Sequence, residues 1–188
     1  MSKERILWMG TRNKNKYREA RTILSSMGIS LKLLDVDRVE IQADDPAEIA
    51  IYSLKNIESG SRPIAVEDAG LFIDGLNGFP GAYSSYILKT IGLEGVLKLM
   101  EKMEDRDAKF KSAVAYKFRD RLECFIGFVE GKIATEIRGS QGFGYDPIFI
   151  PREGDGRTFG EMDLEEKNTL SHRARAFRKL GEWLLIEN

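Results

Sequence analysis

Residues 10–20, GTRNKNKYREA, combine hydroxyl, amide and cationic side chains in one short turn. An apolar run precedes the turn and helical periodicity follows it, so backbone N–H groups at a helix N-terminus favour an anion here. Lysine adds charge, and threonine and asparagine add directional hydrogen bonds. The turn therefore predicts a polyphosphate site, although a solvated helix start capped by Asn13 or Asn15 is the competing interpretation. The candidate ligand-binding residues are Thr11, Arg12, Asn13, Lys14, Asn15 and Lys16.

Carboxylates provide a second group of candidates. Glu67 and Asp68 directly follow the apolar residues 64–66, and neighbouring side chains on a strand point to opposite faces. One of the two is therefore expected to face a site. Glu40 and the pair at 44–45 are further acids, and a solvated acidic turn is the simpler interpretation of that pair. Oxygen ligands without a Cys or His cluster suit Mg²⁺ rather than zinc.

A glycine-rich loop, GFGYDP at residues 142–147, provides the third group. Phe143 offers a flat ring on which a base could stack, and its flanking glycines free the backbone to approach a ligand. Asp146 precedes a proline and is expected to be extended. An aromatic-packed tight turn is the alternative for this loop, and a capping or surface role is the alternative for His172. Together with Lys167, these groups indicate a nucleoside triphosphate site.

Composition limits the function classes. The 188 residues are 42% hydrophobic and 31% charged, and no apolar run approaches the roughly 20 residues of a membrane span. Lys and Arg number 29 against 30 acids, so the formal charge of -1 gives no global field for nucleic acid. A single cysteine, Cys124, excludes an internal disulfide, and the first residues lack the apolar region of a signal peptide. We expect a cytoplasmic protein without membrane or nucleic-acid partners.

The order of apolar segments predicts a single α/β domain. Strands are expected near 6–9, 29–36 and 64–66, and then in a three-stranded antiparallel meander at 110–119, 122–130 and 132–138 with turns at 119–121 and Gly131. Helices are expected at 17–27, 47–59, 93–103 and 170–186, with residues between 75 and 92 forming a loop. Such an order favours a long mixed sheet flanked by helices, with a cleft.

Several motifs together resemble the inosine triphosphate pyrophosphatase family over nearly the whole chain. They are the TxNxxK loop at residues 11–16, VEDAGL at 66–71, GFPG at 78–81, GFGYDP at 142–147, and EKN with SHR at 166–168 and 171–173. The resemblance implies an elongated mixed sheet, two lobes with a central active-site cleft, and a homodimer. It also implies Mg²⁺-dependent hydrolysis of ITP, dITP and XTP to the monophosphate and pyrophosphate.

The resemblance further implies residue roles. Residues 11–16 hold the triphosphate, Glu40 and Asp68 bind Mg²⁺, Asp68 also accepts the proton of the attacking water, and Lys55 lies near the phosphates. The base and sugar are assigned to Phe143, Gly144, Tyr145, Asp146, Lys167, His172 and Arg173, with His172 and Arg173 directing donors at the 6-oxo group. The chain departs from the family pattern at two positions. Ala69 stands where the family usually has Ser or Thr, so any ligand contact there must come from the backbone. Tyr145 stands where many members have Trp.

Two other interpretations remain open. The Maf-like pyrophosphatases share the expected fold, but the SHR and FGYD motifs favour the purine family. An RNA-binding module could use the basic residues 173–179, yet the net charge opposes it and such a module does not need Glu40 and Asp68 near a polyphosphate.

Overall fold

The structure is a computed structural model that describes residues 5–58 and 60–187, and within these residues it has seven β-strands and six α-helices. The strands are β1 (Arg5–Gly10), β2 (Ile29–Leu34), β3 (Ile64–Ile73), β4 (Pro80–Gly81), β5 (Asp107–Phe118), β6 (Arg121–Ile133) and β7 (Phe149–Pro151). The helices are α1 (Lys14–Ser26), α2 (Pro46–Lys55), α3 (Ser84–Thr90), α4 (Gly92–Leu99), α5 (Leu164–Leu170) and α6 (His172–Ile186).

The strands form a mixed sheet. Its order is β2-β1-β3-β5-β6-β7, and β4 pairs with β3. Strand β1 runs parallel to both β2 and β3, whereas β3 with β4 and β6 with β7 are antiparallel. The predicted α/β class with a mixed sheet is confirmed.

The chain divides into two compact units. The first unit comprises the described residues up to Asp68, Ser112–Gly127, and the described residues from Arg173 onward; the second comprises Ala69–Lys111 and Phe128–His172. Each unit has its own apolar core. Leu7, Met9, Leu24, Phe177 and Leu180 belong to that of the first unit, and Leu71, Ile73, Phe149, Phe159 and Met162 to that of the second.

Helix α1 follows from apolar spacing and a cap. Ala20, Ile23 and Leu24 lie on one face and are buried against β1 and β2. The side chain of Asn13 caps the helix by accepting hydrogen bonds from the backbone of Asn15 and Lys16. The helix therefore begins at Lys14, three residues before the predicted start, which confirms Asn13 rather than Asn15 as the cap.

The prediction of a turn at Gly131 is wrong. Strand β6 continues through Gly131 to Ile133, and Gly131 pairs with Pro151 of β7. A Cβ atom at this position would lie 2.2 Å from the carbonyl oxygen of Ile150, so glycine allows a close strand approach rather than a reversal. The predicted strand at 132–138 accordingly ends at Ile133, and β7 takes the place at the sheet edge.

Helix boundaries also differ from the prediction. Helix α2 ends at Lys55 instead of 59, and Ser59 itself lies outside the described residues. The segment expected to be a loop between 75 and 92 contains α3, and α5 precedes the predicted C-terminal helix. Asp163 and Glu166 form a capping box that starts α5.

Candidate active site

The polar turn after β1 is organised by its own side chains. The hydroxyl of Thr11 accepts a hydrogen bond from the backbone N–H of Asn13 at 3.0 Å. The Asn13 carbonyl oxygen in turn accepts from the N–H groups of Asn15 (3.0 Å) and Lys16 (3.1 Å). These bonds fix a helix N-terminus with a lysine in its first turn, an arrangement that favours an anion.

Arg12, another cation of the turn, pairs with carboxylates outside the turn. The guanidinium of Arg12 forms ion pairs with Asp35, at 3.0 Å, and with Asp37. Because all three side chains are largely exposed, these pairs contribute little to stability. Lys14 and Asn15 are exposed in the first turn of α1. Contacts of these residues with a phosphate remain predictions.

Lys16 is joined to both acids of β3. Its Nζ lies 2.8 Å from Glu67 Oε2 and 4.0 Å from Asp68 Oδ1. The Glu67 side chain is completely buried, whereas 13% of the Asp68 side chain is exposed. The alternation of the strand therefore separates a buried carboxylate from one that a ligand can reach, as the sequence predicted for one of the two.

The two neighbouring carboxyl groups have opposite electrostatic environments. Burial raises the pKa of Asp68 to about 6; Lys16 opposes this shift, while the charges of Glu67 and Glu40 add to it. Burial would also raise the pKa of Glu67, but Arg173 and Lys16 outweigh it and hold that pKa well below its ordinary value. Asp68 is thus mostly ionised at neutral pH but can accept a proton readily, whereas Glu67 stays ionised.

Glu40 lies in the same electrostatic neighbourhood. Its carboxylate pairs with the guanidinium of Arg38, which also donates to the backbone carbonyl of Glu67 at 3.0 Å. Arg38 therefore links the segment before α2 to β3 and holds Glu40 near Asp68. Within residues 5–58 and 60–187, no group of three or more His, Cys, Asp or Glu side chains is arranged to hold a metal ion.

In the second unit, Lys167 and Asp146 form a buried ion pair. Lys167 Nζ lies 2.5 Å from Asp146 Oδ2, and both side chains are almost fully buried. The same oxygen accepts the backbone N–H of Phe143 at 2.7 Å. Lys167 Nζ also lies 4.9 Å from the centre of the Phe143 ring. One lysine and one aspartate therefore position the ring that the sequence predicted to stack on a base.

The glycine-rich loop has a steric reason for Gly142. A Cβ at this residue would lie 2.1 Å from Asp146 Oδ2, and its φ of +70° is a left-handed conformation that glycine tolerates. Asp146 itself begins a 3-10 helix, Asp146–Ile148, so the prediction that it is extended before Pro147 is wrong. Its side chain closes the loop onto Phe143 instead.

Tyr145 and His172 are buried by aromatic and backbone contacts. The Tyr145 hydroxyl donates to the carbonyl of Ser84 at 2.8 Å, and its ring belongs to the second unit's core. The His172 ring stacks on Phe110 with centroids 4.5 Å apart. These contacts position both rings, and their predicted contacts with base or sugar stay predictions.

Arg173 participates in an ion-pair network of the first unit. Its Nε lies 3.1 Å from Glu67 Oε1, and its Nη1 lies 2.6 Å from Glu19 Oε2. The hydroxyl of Ser112 donates to the same Glu67 oxygen at 2.8 Å. A guanidinium has five N–H donors, so these pairs do not decide the predicted donation to a base.

Sequence reasoning missed Arg38, Glu19 and Ser112. Glu19 had a readable signal, because it lies four residues before the apolar Ile23 and three after Lys16, so a helix places it beside an apolar residue and a cation. Arg38 and Ser112 had none. Lys55 is exposed at the last position of α2 and Ala69 is half-buried in β3, so their predicted roles remain predictions.

Comparisons with known proteins agree with one another. The Ham1 family model matches residues 7–183. A dITP/XTP pyrophosphatase of Methanopyrus kandleri is 50% identical over 92% of this chain and 93% of the relative, and one of Hyperthermus butylicus is 45% identical over 96% and 95%. A HAM1 protein from Coxiella burnetii has a TM-score of 0.83 at 30% identity, covering 96% of this chain and 98% of its own. The Staphylococcus aureus Ham1 protein has a TM-score of 0.82 at 27% identity over 98% and 100%.

Proposed function

Because the chain belongs to the Ham1 family, we propose that it hydrolyses the non-canonical purine nucleoside triphosphates ITP, dITP and XTP to the monophosphate and pyrophosphate. The relatives from Methanopyrus kandleri and Hyperthermus butylicus carry the name dITP/XTP pyrophosphatase. The observation that supports the chemistry best is Lys16, in the first turn of a capped helix, with Asp68 4.0 Å from its ammonium. A cation for the phosphates and a carboxylate for water lie together there.

The reaction needs one proton acceptor. Water attacks the α-phosphorus, the bond from that phosphorus to the bridging oxygen breaks, and pyrophosphate leaves with the bridging oxygen. Asp68 accepts the proton of the attacking water, since a carboxyl group with a pKa of about 6 is ionised at neutral pH and still basic enough to take a proton. Lys16 and the turn N–H groups offset the charge on the phosphate oxygens.

We propose that the reaction requires Mg²⁺, bound by Asp68 and Glu40. The residues fit such an ion: both are oxygen ligands, and the charge of Glu40 contributes to the raised pKa of Asp68, a repulsion that a divalent cation relieves. Mg²⁺ is commonly bound by one or two carboxylates together with substrate phosphates, and Asp68 and Glu40 would be those carboxylates. When bound, it neutralises charge on the phosphate oxygens.

We assign recognition of the base to the Phe143 loop and its neighbours. Lys167 and Asp146 hold Phe143 in place, and stacking on this ring provides affinity that every base shares. Hydrogen-bond donors that face the 6-oxo group provide selectivity against adenine, because the 6-amino group of adenine would leave these buried donors unpaired. The predicted donors are His172 and Arg173, and Lys167 completes the pocket.

We also propose a homodimer that acts on the cytoplasmic nucleotide pool. Helix α3 and the residues that flank it expose the apolar side chains of Phe79, Tyr83, Tyr86 and Ile91. A cluster of exposed aromatic residues of this kind is typical of a subunit interface. No helix in the described part of the chain is long and apolar enough to cross a membrane.

Steady-state kinetics on a panel of nucleotides tests the proposal. With Mg²⁺, kcat/KM for ITP, dITP and XTP is expected to exceed that for ATP by roughly 10⁴, the discrimination that unpaired buried donors can supply. Equal values for ITP and ATP would contradict the assignment to non-canonical purines.

A further inference from the structure

Glu67 is a buried charge that the proposed reaction does not use. Its side chain has no exposed surface, and both carboxylate oxygens accept contacts: Oε1 from Ser112 and Arg173, and Oε2 from Lys16. A carboxylate without exposed surface cannot touch a nucleotide or a metal ion directly. Any influence of Glu67 on the reaction must pass through the groups that it holds.

The contacts of Glu67 belong to a ring of four charges that three ion pairs and the backbone of α1 connect. Lys16 pairs with Glu67, Glu67 with Arg173, and Arg173 with Glu19. The ring closes through α1, because Lys16 and Glu19 are three residues apart and therefore lie on one face of the helix. It joins the first turns of α1 to β3 and to the start of α6, and each charge meets a charge of opposite sign.

Two carboxylates compete for the ammonium of Lys16. Glu67 Oε2 is 2.8 Å away, and Asp68 Oδ1 is 4.0 Å away. At 2.8 Å the ammonium is in close ion-pair contact with Glu67, whereas at 4.0 Å the attraction of Asp68 is weaker. If Glu67 lost its charge, Asp68 would attract the ammonium without this competitor.

We propose that Glu67 is a positioning residue, which holds Lys16 away from Asp68 and aims its ammonium at the triphosphate. An ammonium has three N–H donors, so an ion pair with one carboxylate leaves donors for phosphate oxygens. Asp68 meanwhile keeps its own oxygens for water and metal. This inference rests on the proposed function, because it takes Lys16 to bind phosphate.

A double-mutant cycle on the binding of inorganic tripolyphosphate tests the inference without any catalytic readout. Calorimetry in metal-free buffer is applied to the parent, Glu67→Gln, Lys16→Gln and the double variant. Glu67→Gln is expected to weaken binding about tenfold or more, the scale of one charge-assisted bond. The double variant is expected to bind no more weakly than Lys16→Gln alone, because Glu67 acts through Lys16.

Glu19→Gln is the matched control. It removes the other carboxylate of the ring and weakens the fold in the same way, but the contact between Lys16 and Glu67 remains. Its affinity for tripolyphosphate is expected to stay within about threefold of the parent, since no phosphate-directed group moves. A purely structural role of the ring would instead make Glu19→Gln and Glu67→Gln weaken binding equally, which would overturn the inference.

Glu67→Asp serves if Glu67→Gln does not fold. It keeps the charge for Arg173 but withdraws the carboxylate by one methylene, about 1.5 Å, from Lys16. An affinity loss of about fivefold for tripolyphosphate is therefore expected, and parent-like affinity would overturn the inference.

A parent that fails to bind tripolyphosphate would overturn the proposed phosphate site and this inference together. A parent that binds it, with affinity reduced in Glu67→Gln, but releases no pyrophosphate from ITP would overturn the proposed function and leave the positioning role supported.

Discussion

Glu67 and Asp68 are neighbours in β3 whose carboxyl groups have pKa values displaced in opposite directions. Arg173 and Lys16 overcome the burial of Glu67 and lower its pKa, whereas burial raises the pKa of Asp68 to about 6. Alternation along one strand is thus enough to give two adjacent acids different tasks. Glu67 stabilises the fold at every pH above the ordinary carboxylate range, and Asp68 destabilises the folded state once it is ionised.

Asp68→Asn is therefore expected to abolish turnover and stabilise the metal-free protein. A raised pKa means that ionised Asp68 destabilises the folded state above about pH 6, and that this cost disappears below its ordinary pKa of 3.8. At pH 7.5 in EDTA, the free energy of unfolding should rise by on the order of 2 kcal/mol. Urea unfolding of parent and variant measures it.

Mg²⁺ provides the control for this prediction. The ion should raise the melting temperature of the parent and have a much smaller effect on Asp68→Asn, because the variant has lost a proposed ligand. A variant that is less stable than the parent in EDTA, or that gains as much from Mg²⁺, would contradict the assignment of Asp68.

Lys167→Met is expected to damage base recognition and stability together. It leaves Asp146 buried without its ion-pair partner at 2.5 Å, and breaking a buried pair costs about 3–5 kcal/mol. In the fraction that remains folded, KM for ITP should rise while the affinity for tripolyphosphate is unchanged. Weaker tripolyphosphate binding would show that Lys167 acts on the phosphates instead.

Arg173→Ala is expected to narrow the ratio of kcat/KM between ITP and ATP. The variant should also be less stable, because Glu67 and Glu19 lose their shared partner. The ratio is a suitable measure since loss of folded enzyme lowers both values equally. Phe143→Ala is the matched control, because stacking serves every base and its loss leaves the ratio unchanged. An unchanged ratio in Arg173→Ala would restrict Arg173 to the ion-pair ring.

Tyr86→Glu is expected to dissociate the proposed homodimer. Tyr86 is 66% exposed on α3, and a charge at an apolar interface is costly to bury. Phe128→Glu is the control, because Phe128 is also an exposed aromatic residue of the second unit but lies on β6. Light scattering at micromolar concentration should give a dimer for the parent and the control and a monomer for Tyr86→Glu. A monomeric parent would contradict the proposal.

Local signals predicted the fold where they were strong. The periodicity of Ala20, Ile23 and Leu24 and the cap at Asn13 located α1. Gly131 misled the prediction, because glycine serves both turns and close strand contacts, and the distinction depends on Ile150, 19 positions away in the chain. Helix α3 was missed because the glycines and aromatic residues around it are typical of a loop.

The candidate site was also predictable only where local sequence signals were strong. Residues in contiguous motifs, such as Asn13, Lys16, Asp68 and Phe143, could be identified from type and spacing. The contacts around Glu67 could not be predicted, because Ser112 and Arg173 reach Glu67 across separations of 45 and 106 positions. Contacts of that length depend on the packing of strands and helices, which a single sequence does not specify.

The products of ITP hydrolysis distinguish a pyrophosphatase from a phosphatase. Chromatography after complete turnover in Mg²⁺, with a separate phosphate assay, should give one IMP and one pyrophosphate for each ITP consumed. Asp68→Asn, assayed in parallel, should give neither above background, which excludes a contaminating phosphatase. Formation of IDP and orthophosphate by the parent would mean attack at the γ-phosphorus and would contradict the proposed pyrophosphatase reaction.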